Sequence, residues 1–293
     1  MNDRTALAER FEADRSHLKA VAYRMLGSAA EAEDAVQESW LRAAEADVSE
    51  VRNLTGWLTT VVGRVCLNML RSRRTRREDP LDAYDRTPGP GEGDDPEQEA
   101  LLADSVGVAL LVVLDKLAPA ERLAFVLHDM FAVPFAEIGP LLDRSPDTAR
   151  QLASRARRRV KGGGASPSGA DPLRRRQVVE AFLSASRGGD FDALVALLHP
   201  DVVLHADRSV IPSPEPVMVR GAETVARGAM AATGRALFTG VALVDGAVAL
   251  AMAPQGRLRV VLGFTLVDGL ISGIDVVADP DRLDAFEIGV LDD

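Results

Sequence analysis

The stretch FAEIGPLLDRSPDTARQLASRARRRVK, Phe135 to Lys161, decides how the rest of the chain is read. Its pattern predicts two helices around a short turn. Phe135, Ile138, Leu141 and Leu142 recur at helical spacing in the first. Ser145-Pro146-Asp147 opens the second with a capping hydroxyl, a proline at the first helical position and an acid in the first turn. Behind that cap, Ala149, Leu152, Ala153, Ala156 and Val160 share one face, and Asp147, Arg150, Gln151, Ser154, Arg155 and Arg158 share the other. A narrow face of small apolar residues lets the helix pack closely on its partner, and a polar, basic face opposite it suits the major groove of DNA. Arg150, Gln151, Ser154, Arg155 and Arg158 are the candidates for contact, arginine to guanine being the commonest specific pairing. Arg157, Arg158, Arg159 and Lys161 lie where phosphates would fix position rather than sequence. A plain helical hairpin with a solvated basic face is the alternative reading of the same residues.

The chain has 293 residues, room for two or three domains, and a net charge of −10. That average argues against a simple nucleic-acid binder, but it hides a division. Arginines concentrate at 64–77 and 150–159, whereas 78–99 holds nine acids and one arginine. Basic patches are therefore separated by an acidic spacer. A single cysteine, Cys66, lies in an apolar helical run, which excludes a disulfide framework and a Cys-based metal site and suits a reducing cytoplasm. Met1 to Ala20 is charged throughout, unlike a signal peptide, and no apolar run approaches the ~20 residues that span a bilayer.

Residues 5–77 read as all-helical. Phe11, Leu18, Val21, Ala22, Met25 and Leu26 mark a first helix that ends near Gly27. In the next, Ala32, Ala35, Val36, Trp40 and Leu41 form the apolar side, and Glu31, Glu33, Asp34, Gln37, Glu38 and Arg42 the charged side. Leu54 to Arg74 carries a stripe of Trp57, Leu58, Val61, Val62, Val65 and Met69, then runs into Arg71, Arg73, Arg74, Arg76 and Arg77. Residues 78–100, rich in proline, glycine and acids, read as a flexible linker. Helices resume over 101–161, and 162–172 form a second linker of glycine, serine and proline. Beyond it, two helices at 174–186 and 191–198 precede strands at 202–205, 237–245, 247–252, 258–268 and 270–277, with a helix at 220–232 between the first strand and the others. Asp245-Gly246 and Asp268-Gly269 are hairpin signals. Helices followed by a strand meander imply an α+β domain with helices on a curved antiparallel sheet.

Three segments are distinctive: AEAEDAVQESWLRA at 30–43, GWLTTVVGRVCLNMLRSRRTRRE at 56–78, and LAPAERLAFVLHDMFAVPFAEIGPLLDRSPDTARQLASRARRRV at 117–160. In this order they resemble the extracytoplasmic-function (ECF) group of sigma-70 family RNA polymerase sigma factors. The last domain looks like a SnoaL-like fold of the nuclear-transport-factor-2-like superfamily, as in the SigJ-type subgroup. Asp279-Pro280-Asp281-Arg282-Leu283 is similar to that subgroup's Asn-Pro-Asp-Lys-Leu signature. Asp207-Arg208-Ser209-Val210-Ile211-Pro212 stands where the subgroup carries Asp-Gly-Gly-Gly-Lys.

The resemblance implies a multidomain protein with two all-α sigma domains, the second with the helix-turn-helix, followed by an α+β cone-shaped SnoaL-like domain. It implies region 2 at 5–77, region 4 at 101–161 and a regulatory domain at 173–293. It implies a sigma factor that binds core RNA polymerase and promoter DNA and needs no cofactor. Helix 30–43 would dock on the clamp coiled coil of the largest catalytic subunit through Asp34, Gln37, Glu38 and Arg42. Arg64, Asn68, Arg71 and Arg74 would handle the minus-ten element, and the helix-turn-helix the minus-thirty-five element. Asp279, Pro280, Asp281, Arg282 and Leu283 would be regulatory. A cone-shaped domain can hold a pocket for a small-molecule ligand, with His205, Asp207 and Asp275 as its candidate polar residues. Two other readings remain open: a one-component, ligand-sensing DNA-binding regulator, and a SnoaL-like isomerase or hydrolase with a DNA-binding appendage.

Overall fold

A computed structural model describes residues 2–78, 103, 106–161, 172–210 and 216–291, with the side chains of 2–4 and 76–78 left aside. The two linkers expected at 78–100 and 162–172 lie almost wholly outside the described residues. The chain divides into two compact units, 1–99 with 114–158, and 100–113 with 159–293.

The first unit is helical. Helices α1 (Asn2–Leu26), α2 (Ala29–Glu45) and α3 (Leu54–Glu78) pack on one another. Gly27, at φ +80°, ends α1 where a side chain would be strained, and its N–H donates to Tyr23 O. Ser28 then caps α2, its hydroxyl accepting from Glu31 N at 3.4 Å. Asn53 does the same for α3, accepting from Gly56 N at 3.0 Å. Leu18, Val21, Met25, Ala32, Ala35, Leu58, Val62 and Cys66 form the dry centre. Leu41 does not join them: it is 62% exposed, although the apolar pattern of α2 placed it with Trp40.

Residues 114–158, the larger part of the second expected helical module, pack in one unit with the first. Helix α5 (Pro119–Phe125) follows α4 (Val108–Lys116) and continues into a π turn, Val126–Met130, and both α5 and the turn pack on α3. Close approach is possible because Gly63 has no side chain. A Cβ there would lie 3.0 Å from a methyl of Leu127 and 3.3 Å from one of Leu123. Arg122 is buried in this unit. Its Nε donates to Arg24 O at 3.3 Å, its Nη1 stands 3.7 Å from Asp115, and its Nη2 has no hydrogen-bond partner among the described residues. Burial pulls its pKa down to about 10, partly offset by Asp115 and Cys66. Burial likewise pushes the Cys66 thiol up to about 12, so this cysteine is not a nucleophile at neutral pH.

The second unit is an α+β fold with a seven-stranded sheet in the order β2-β1-β6-β5-β4-β3-β7. Its strands are β1 (Leu198–Ala206), β2 (Val217–Arg220), β3 (Thr239–Val244), β4 (Ala247–Met252), β5 (Val260–Val267), β6 (Leu270–Val277) and β7 (Ile288–Gly289). The sheet is mixed rather than wholly antiparallel, because β1 and β6 run parallel. Asp245-Gly246 and Asp268-Gly269 make the expected tight turns, all four residues at positive φ. Helices α8 (Pro172–Gly188), α9 (Phe191–Leu197), α10 (Ala222–Ala231) and α11 (Thr233–Ala236) share a core with the sheet, where Phe182 and Phe264 meet edge to face at 5.4 Å. Register shifts between Leu198 and Val203 and between Thr265 and Leu266 mark bulges, which bend strands.

Candidate nucleic-acid and polymerase interfaces

The helix-turn-helix forms as its sequence requires. Helices α6 (Phe135–Leu141) and α7 (Pro146–Val160) flank a turn in which Asp143 takes φ +55°. Ser145 Oγ accepts from Thr148 N at 3.2 Å, capping α7. Gly139 makes the turn possible, since a Cβ there would stand 2.9 Å from Arg144 O. Ala149, Ala153 and Ala156 are fully buried, while Arg150, Gln151, Ser154, Arg155 and Arg158 are exposed. Arg150 is held at the N-terminal end by Asp147, 2.5 Å away, and lies over the Phe135 ring at 5.4 Å. Arg155 and Arg158 make no ion pair among the described residues. Arg157, expected near phosphates, instead pairs with Asp129 at 2.6 Å and braces α7.

The second basic stripe runs along α3. Arg64, Asn68, Arg71 and Arg74 are all exposed at spacings of one turn or less, opposite the buried Val62, Val65, Cys66 and Leu70. Arg73, in the same arginine run, is turned inward, where it pairs with Glu31 and reaches Leu26 O. Trp57 is half-buried.

On α2, Asp34, Gln37 and Arg42 are exposed, and Arg42 Nε donates to Glu38 at 2.9 Å. Helical spacing puts Leu41 in the middle of these four, an exposed apolar side chain ringed by charge. The signal was present in the sequence: Leu41 lies seven residues after Asp34, hence on its face.

In the sheet unit His205, Asp207 and Asp275 lie apart from the cavity. A cavity of about 430 Å³ is bounded by Phe182, Leu204, Val219, Leu250, Leu262 and Ile274, among others. His205 and Asp275 do not line it. They are exposed register partners, and strand alternation sends them to the side opposite Leu204, Ala206, Ile274 and Val276. Asp207 is structural: Oδ2 accepts from Ala278 N and Asp279 N, both at 2.9 Å, and Oδ1 from Ser209 N at 3.1 Å. Burial raises its pKa, but these N–H groups and the charge of Arg282 hold it below the ordinary carboxylate value. The tail signature is thereby fixed. Asp279 caps α12 (Pro280–Ala285) by accepting from Arg282 N at 3.1 Å, and Leu283 is buried.

Residues 10–76 match the Sigma-70 region 2 family and residues 107–160 the Sigma-70 region 4 family. The ECF RNA polymerase sigma factor SigJ of Mycobacterium tuberculosis is 39% identical over 295 residues, covering 93% of this chain and 91% of the relative. The chain belongs to the ECF RNA polymerase sigma factors. A second relative, described as a probable ECF sigma factor SigI of the same species, is 34% identical over 287 residues, covering 97% of each chain. The crystal structure of M. tuberculosis SigJ is 34% identical, with 94% of this chain and 98% of that one covered and a TM-score of 0.45. As an ECF sigma factor the protein binds core RNA polymerase and promoter DNA and initiates transcription, and its family is one of transcription factors rather than enzymes. Among the described residues, no helix is long and apolar enough to cross a membrane.

Proposed function

We propose that three surfaces divide the work of this sigma factor and that the sheet unit modulates them in cis. Helix α2 docks on the clamp coiled coil of the largest polymerase subunit. Leu41 is its apolar anchor, and Asp34, Gln37, Glu38 and Arg42 form the charged rim. A buried apolar anchor ringed by polar groups that exclude water is the usual anatomy of an energetic hot spot. The α3 stripe, Arg64, Asn68, Arg71 and Arg74, holds the minus-ten strand once it is opened, and its cations track the backbone. Helix α7 reads the minus-thirty-five duplex with Arg150, Gln151, Ser154, Arg155 and Arg158.

The observation that carries this reading is that both basic stripes are exposed on one packed helical unit. Packed helices sit about 8–10 Å apart. Elements centred at minus ten and minus thirty-five are separated by roughly 25 base pairs, or about 85 Å at 3.4 Å per pair. The docked unit cannot touch both. Core polymerase therefore separates region 2 (5–77) from region 4 (101–161), and 78–100 serves as the tether.

The sheet unit, 173–293, acts as a regulatory module of SnoaL-like fold without turnover, in keeping with His205 and Asp275 lying away from the cavity. The signature from Asp279 to Leu283 regulates by fixing the end of the sheet through Asp207. The test is promoter-dependent transcription with purified core polymerase, comparing wild type, Leu41→Asp, Arg71→Ala and Arg155→Ala. Loss of polymerase binding in the first alone, with loss of promoter opening and of promoter choice in the others, is the expected division. A purified chain that grips duplex promoter tightly without polymerase would overturn it.

A further inference from the structure

The cavity of the sheet unit has a chemistry of its own. Its wall is aliphatic and aromatic, with Phe182, Leu204, Val219, Leu250, Leu262 and Ile274 facing inward. Its two buried hydroxyls have already used their protons. Ser186 Oγ donates to Phe182 O at 2.8 Å, and Thr239 Oγ1 to Arg235 O at 2.9 Å. A ligand's buried portion would find few free donors there, so it must be apolar. Among the described residues no carboxylate lines the space, and Arg235 is the one charged residue that does. Arg235 is exposed at the rim and makes no ion pair among the described residues. Its backbone is fixed by Thr239. The adjoining corner is fixed by Arg187, whose Nε donates to Ala236 O at 3.1 Å and Nη2 to Thr239 O at 2.7 Å. A rigid corner that carries the exposed Arg235 beside an apolar hole selects for an anionic head on an apolar body.

We propose that the sheet unit binds an amphipathic monocarboxylate, its hydrocarbon body in the cavity and its carboxylate at Arg235. This deepens the regulatory reading of the sheet unit and rests on it for its biological meaning, though not for the binding itself. Size follows from scale. A cavity of ~150 Å³ holds benzene, so about 430 Å³ holds on the order of fifteen non-hydrogen atoms. Dodecanoate is of that size.

The experiment is calorimetric titration of the full chain with dodecanoate, dodecanol and dodecyltrimethylammonium, each below its micelle concentration. Dodecanoate is expected to bind one to one, dodecanol about tenfold more weakly, and the ammonium not at all. Arg235→Gln should bring dodecanoate to the level of dodecanol and leave dodecanol unchanged. Gly228→Phe should block both. Gly228 lines the cavity within α10 and a Cβ there meets nothing within 4 Å, so the ring can cap the mouth without breaking the helix. Absence of dodecanoate binding, binding at several sites, equal binding of all three probes, or indifference to both substitutions overturns the proposal. Transcription with core polymerase separates the two readings. Saturable binding that leaves transcription unchanged removes the regulatory role and keeps the site.

Discussion

The helical unit and the sheet unit use their interiors in opposite ways. The first fills its centre so completely that Gly63 is needed to admit Leu123 and Leu127, and an arginine, Arg122, is enclosed with one donor unpaired among the described residues. Its chemistry is therefore on the outside, in the stripes of α3 and α7 and the ringed leucine of α2. The second keeps a cavity of about 430 Å³ and displays its one His-Asp register pair, His205 and Asp275, on the outer side of the sheet. Its chemistry is inside. Sigma factors act on partners far larger than themselves, which only an outer surface can meet, whereas a module that tunes them can respond to something small.

The largest effect that could break this contrast is at Leu41. Leu41→Asp should weaken core-polymerase binding by about 2–4 kcal/mol, some thirtyfold or more, measured by competition for core enzyme. It should leave thermal stability unchanged, because the side chain is already exposed. Next, Arg155→Ala should cost about 1–3 kcal/mol of promoter discrimination while polymerase affinity holds, read by transcription from matched and mismatched minus-thirty-five elements. Gly63→Leu sharpens the comparison from within. Overpacking there should cost about 1–3 kcal/mol and push α5 from α3. Small-angle scattering should then record a larger radius for the free protein, and an unchanged radius would show that the docking tolerates the intrusion.

The smallest effect is at Asp207. Asp207→Ala should destabilise the sheet unit by about 1–2 kcal/mol, through lost charge-assisted hydrogen bonds to 278 and 279. The sign of the pH dependence follows from its lowered pKa. The stabilisation is present above the unfolded value near 3.8 and fades as pH falls through the lower folded value. Wild type and variant should therefore melt alike in strong acid and differ by a few degrees at neutral pH. Such point changes are cleaner than shortening the chain after Asp279, which would also remove Leu283 from the core and β7 from the edge of β3.

Much of this was legible in the sequence, for reasons that are local. The Ser145 cap, the Pro146 start, the Asp-Gly turns and the basic stripes depend on neighbours a few residues away, and all appear where their spacing puts them. What depended on distant partners was harder to read. The parallel pairing of β1 with β6 joins segments some seventy residues apart. The short β2 borrows its register from β1, and the π turn at 126–130 packs against α3, a partner some sixty residues away. Leu41 is apolar, yet its angular position matches Asp34 and puts it on the exposed face. His205, Asp207 and Asp275 share a chemistry, but the alternation Leu204, His205, Ala206 sends the imidazole away from the apolar side.

Arg122 gives the docked state a thermal character. The hydration of a charged group becomes less favourable as temperature rises, so enclosing a guanidinium grows less costly in the heat and more costly in the cold. Cooling thus lets solvent compete harder for that cation, and warming weakens the competitor. A clasp built around a buried arginine therefore loosens towards low temperature, in the same sense as the apolar packing around it, and the ease with which this sigma factor opens is written partly in the temperature of its surroundings.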